Sequence, residues 1–128
     1  MIEVLITLFL TTVGIMALLS MHPTSWQTAG RSDLMGRAAV LLQSELERSE
    51  IWIMNPGNAV TTGTVSQTVN ASSQAIAKDG DAAYVVTRTT APVGGSLNSW
   101  TVSIRVTWPG NNRGIAETLI ASRQESFR

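Results

Sequence analysis

Hydrophobic and polar positions change rhythm twice along this chain. From Val4 to Met21 the sequence VLITLFLTTVGIMALLSM carries no charge. At 1.5 Å per residue such a helix nearly crosses a bilayer core. Leu34, Ala38, Leu41, Leu42, Leu46 and Ile53 then recur at steps of three and four, which places them on one stripe of an amphipathic helix. From about Val60 the period shortens to two. The clearest case is Trp100 to Trp108, where Trp100, Val102, Ile104, Val106 and Trp108 share one face and Thr101, Ser103, Arg105 and Thr107 the other.

Breakers punctuate these segments. Pro23 removes a backbone donor and clashes with the carbonyl four residues back, which predicts a kink or break in the helix there. Ser32 or Asp33 would cap a fresh stretch running to about Met54, weakened at its start by Gly30 and Gly36 and closed by Pro56-Gly57. Pro109-Gly110-Asn111-Asn112 supplies turn chemistry, so Gly114 to Ser122 reads as the return strand of an antiparallel hairpin. Asp81 to Thr89 predicts a third strand. Val60 to Val69 is a fourth strand or an extended loop, since Thr and Ser outnumber its apolar residues.

The amphipathic stripe needs an apolar partner, and the downstream sheet is the nearest one. The pattern therefore predicts an α+β fold, a long N-terminal helix packed by its second half on a small antiparallel β-sheet. Its parts are an apolar half of the helix over 1–22, an amphipathic half over 23–54, and a β-domain over 55–128.

Composition narrows the function classes. With 9 Lys+Arg against 9 Asp+Glu the formal net charge is zero, so no basic excess exists to neutralise a phosphate backbone, and nucleic acid is not an expected partner. The chain has no Cys, which excludes disulfides, thiolate chemistry and Cys-type zinc sites. A signal peptide would need a basic leading region, a shorter apolar core and a small-residue cleavage site, none of which the first 22 residues show. Glu3 instead stands at the edge of the apolar run. A carboxylate there either finds a partner or sits in the first turn, stabilised by the helix dipole and headgroup water.

Met1-Ile2-Glu3-Val4-Leu5-Ile6-Thr7-Leu8 resembles the start of type IV pilins and type II secretion pseudopilins, in which a Glu opens a long apolar helix. The strand ending Val106-Thr107-Trp108-Pro109-Gly110, with its hairpin return, is similar to the C-terminal sheet of PilV-type pilus modification proteins. The resemblance implies that Glu3 pairs with the N-terminal amine of a neighbouring subunit during assembly. It also implies a basic leader and its cleavage and methylation site upstream of Met1, where a prepilin peptidase would act. The expected product is a minor subunit of a type IV pilus-like filament, whose partners are other pilin helices. Before assembly it would lie in the inner membrane, and afterwards in a cell-surface or periplasmic fibre. A single-pass, membrane-anchored periplasmic binding domain that does not polymerise fits the same pattern.

Other chemistry finds little support. His22 is the single His, placed at the expected membrane boundary without ligand-type neighbours, and reads as interfacial rather than metal-binding. Asp79 and Asp81 flank Gly80 and offer oxygens to a hard cation such as calcium, yet a polar turn before a strand explains them without an ion. Glu45, Glu47, Arg48 and Glu50 read as a solvated helix face. Trp26 reads as an interfacial anchor, while Trp52, Trp100 and Trp108 are assigned to core packing. No enzyme and no cofactor are expected.

Overall fold

A computed structural model describes residues 1–72 and 80–123. Helix α1 (Ile2–Met54) is followed by strands β1 (Gly63–Asn70), β2 (Ala83–Pro92), β3 (Ser99–Trp108) and β4 (Asn111–Ser122). The chain divides into two compact units, Met1–Asp33 and Leu34–Arg128. The layout is the α+β one that the pattern predicts, one long helix and one antiparallel sheet.

Of the kink or break expected at Pro23, the break is absent. Helical geometry passes through Pro23, and Ser32 and Asp33 lie inside α1 instead of opening a second helix. The energies explain why. An interior proline costs about 3 kcal/mol, whereas stopping and restarting requires a new nucleus, whose statistical weight of roughly 0.001 corresponds to about 4 kcal/mol. Side chains also tie the turns on either side. The Ser20 hydroxyl donates to the Ala17 carbonyl at 2.8 Å, and that of Thr28 to the Thr24 carbonyl at 2.8 Å.

In the second unit the strands form a meander in the order β1-β2-β3-β4. Val86 pairs with Val106 across β2 and β3, and Val106 with Ile115 across β3 and β4. The predicted alternation in β3 holds, with Val102, Ile104, Val106 and Trp108 buried. They join Tyr84, Val86 and Ala121 from the sheet and Ala38, Leu42, Leu46 and Ile53 from α1 in one core. Ser49 occupies the same helical stripe, buried because its hydroxyl donates to the Glu45 carbonyl at 2.7 Å and so leaves no unsatisfied group. Tyr84 packs at 6.5 Å from Trp108, ring to ring, and its hydroxyl donates to the Leu34 carbonyl at 3.3 Å.

The segment left between strand and loop is a strand. β1 pairs with β2 from Gly63↔Thr90 to Asn70↔Ala83. Its apolar content is low because it is an edge strand, and of its residues only Val69 packs against the core. The outer face of the sheet is held by hydroxyls: Thr64 with Thr89 at 3.1 Å, Ser66 with Thr87 at 3.0 Å, and Thr118 donating to Ser103 at 3.1 Å.

The β3–β4 hairpin closes on Pro109-Gly110. Gly110 has φ 85°, the left-handed value that the third position of a type II turn requires after proline. Such a turn splays the strands it joins, and the register accordingly shifts between Val106 and Trp108. Asn111 gathers the extra residues of β4 by accepting from the Arg113 and Gly114 amides at 3.1 and 3.0 Å.

Candidate functional site

The first unit is the part of the chain whose chemistry is left unfinished by the fold. Every residue from Met1 to Asp33 is exposed, including thirteen large apolar side chains from Ile2 to Met21. Burying each would contribute about 1.5 kcal/mol or more, so at least roughly 20 kcal/mol of hydrophobic free energy goes unclaimed. Successive helical residues point 100° apart, and Val4, Leu5, Ile6, Leu8, Phe9 and Leu10 therefore surround the axis. Such a circumference demands an apolar medium on all sides, and a single sheet face would not satisfy it.

The hydroxyls of the apolar stretch from Val4 to Met21 are already satisfied locally. The Thr7 hydroxyl donates to the Val4 carbonyl at 2.9 Å, Thr11 to Thr7 at 2.6 Å and Thr12 to Leu8 at 2.7 Å. The segment can thus enter hydrocarbon without carrying unpaired hydroxyls. Charge is excluded for longer than the most apolar stretch: after Glu3 the next ionic side chain is Arg31. The most apolar 18-residue window has mean hydropathy 2.3, enough by length and composition to span a membrane.

Glu3 lies in the first turn of α1, exposed, with no ion pair to it among the described residues. Its carboxylate is therefore available to a group outside this chain. Pro23 and His22 follow the apolar window and are exposed as well. Of the two weak calcium candidates, Asp79 lies outside the described residues. Asp81 accepts a hydrogen bond from the Ser72 hydroxyl, which closes the connection leaving β1. Among the described residues no three His, Cys, Asp or Glu side chains gather into a metal-holding group.

No family model, curated protein or solved structure matches the chain. The functional reading accordingly rests on the geometry of the two units.

Two features escaped the sequence reading. Arg123 donates from Nε to the Ile53 carbonyl at 3.0 Å and from Nη2 to the Asn58 carbonyl at 2.7 Å, while its guanidinium lies 5.3 Å from the centre of the Trp100 ring. It thereby satisfies the C-terminal end of α1, where orphan carbonyls and the negative end of the helix dipole favour a cation. No short-range signal marks it, because its partners lie 70 and 65 residues away. The second is Trp52, assigned to the core from its place on the amphipathic helix. It lies outside the core, 53% exposed, and its indole Nε1 donates to the Ala59 carbonyl at 3.4 Å.

Proposed function

We propose that the chain is a structural subunit, a minor pilin or pseudopilin, of a type IV pilus-like filament. The observation that carries this reading is the division of labour in the fold. The second unit builds its own core from α1 and the sheet, while the first unit exposes apolar side chains around its whole circumference. Before assembly that segment resides in the inner membrane. On extrusion it exchanges lipid for the equivalent helices of neighbours, so its apolar surface is never surrendered to water. Contacts of this kind are heterologous and do not close, which propagates a fibre. The resemblance of Met1 to Leu8 to the pilin start supports the same reading and gives Glu3 its role, pairing with the terminal amine of an adjacent subunit.

Glu3→Ala separates this reading from a non-polymerising membrane anchor. The variant should remain in the membrane fraction but fall at least about tenfold in sheared fibres, the loss of roughly 1.4 kcal/mol of pairing energy. Unchanged recovery in fibres, or absence of the unmodified chain from them, would favour the anchored binding domain.

A further inference from the structure

The second unit carries an open cleft of about 380 Å³ on the side of α1 away from the core stripe, floored by Ile51 and Trp52 and rimmed by Glu47, Arg48, Asn55 and Asn58. Its two apolar residues are exposed, Ile51 by 70% and Trp52 by 53%, as are Met35, Val40 and Met54 elsewhere on α1, but only Ile51 and Trp52 line a cleft edged by polar side chains. We propose that this cleft binds a neutral saccharide.

The wall of the cleft is built before any ligand arrives. The Trp52 indole is tethered to the Ala59 carbonyl, and the Asn58 side-chain nitrogen donates to the Trp52 carbonyl at 3.2 Å. The Gly57 amide donates to Asn55 Oδ1 at 3.0 Å, and the Asn58 amide to the Asn55 carbonyl at 3.2 Å. From behind, Arg123 holds the Asn58 and Ile53 carbonyls. A loop fixed in this way loses little conformational freedom on binding.

These bonds leave a defined set of valences. With its N–H spent, the accessible part of Trp52 is ring carbon. Asn55 keeps its Nδ2 donor and Asn58 its Oδ1 acceptor, since each uses only its other side-chain atom among the described residues. Glu47 uses Oε1 to accept from Gln43 at 2.8 Å and retains Oε2. Arg48 approaches Glu45 through Nη1 at 3.7 Å and stays largely exposed. An aromatic face edged by one donor amide, one acceptor amide, a carboxylate and a guanidinium complements a pyranose, which has a C–H face and a rim of hydroxyls that both donate and accept. The opposite charges of Glu47 and Arg48 cancel, which favours a neutral ring over a phosphorylated or strongly acidic one. The site lies wholly in the second unit, so it holds whether or not the chain polymerises.

Saturation-transfer NMR on the full chain, solubilised in a phosphocholine detergent so that no glycoside detergent competes, provides the test. The probes are the methyl glycosides of glucose, galactose and N-acetylglucosamine at millimolar concentration. At least one should receive saturation concentrated on the C–H protons of one ring face. Trp52→Ala should abolish the transfer, Trp52→Phe should retain part of it, and Glu47→Gln should weaken affinity several-fold with the amide spectrum otherwise unchanged. No transfer to any of the three, or equal transfer in Trp52→Ala, would overturn the proposal.

Discussion

Arg123 takes up two backbone carbonyls and the face of Trp100 with one side chain, in a chain that has no disulfide to join its helix to its sheet. Hydrogen bonds from a charged donor contribute about 1.5 kcal/mol or more, and the ring contact about 0.5 kcal/mol. With two such bonds, Arg123→Ala should therefore cost roughly 3.5 kcal/mol and lower the thermal midpoint of the second unit by about 20 °C, with Arg123→Lys failing to restore both carbonyl bonds. A melt followed by near-ultraviolet circular dichroism checks this, since Trp100 and Trp108 report on the same packing. Gly114 supplies the second residue-scale case. Its φ is 62°, and a Cβ placed on it would collide with the Val106 carbonyl oxygen. Backbone cannot yield there without reopening the bulge, so Gly114→Ala should destabilise the hairpin by about 2 kcal/mol or more, read as faster amide exchange across Val106 and Ile115. Neither position was legible in the sequence. Arg123 and Gly114 act through distant or register-dependent neighbours, and the sequence alone makes one an arginine after the last strand and the other a glycine at the start of the return strand.

At the scale of elements, period was the reliable signal and punctuation the weaker one. The two-residue period of Trp100 to Trp108 mapped directly onto β3, because a strand with one buried face imposes that alternation on its side chains. The helical stripe from Leu34 to Ile53 mapped onto the core for the same reason. Edge strand β1 was ambiguous since an edge has little core to fill, and Thr and Ser serve its outer face through cross-strand hydroxyl pairs. Pro23 does not end the helix, because the cost of renucleating a helix beyond it exceeds its local cost. The helix nevertheless lacks one backbone bond at that point, the one an amide at position 23 would make to the Leu19 carbonyl. Pro23→Ala should supply it and slow amide exchange over the following turn several-fold, while leaving the melting of the second unit unchanged. Hydrogen exchange resolved by residue, in micelles, measures both.

For the whole molecule, the question is what surrounds the first unit, and the absence of Cys makes that directly measurable. Ile6, Thr7 and Leu8 point 100° apart around the axis, so single cysteines at the three positions sample its entire circumference. A filament core, in which neighbours lie on every side, predicts disulfide or bismaleimide cross-links from Ile6→Cys, Thr7→Cys and Leu8→Cys alike in sheared fibres. A dimer of anchored domains predicts cross-links along one face, and a solitary anchor in lipid predicts none. Combining each cysteine with Glu3→Ala should remove the cross-links while the protein stays in the membrane, because the apolar circumference that inserts the segment is untouched and only the carboxylate offered to a neighbour is lost. On the proposed reading, the thirteen exposed apolar side chains would drive insertion and assembly by the same free energy, and Glu3 would decide between the two environments.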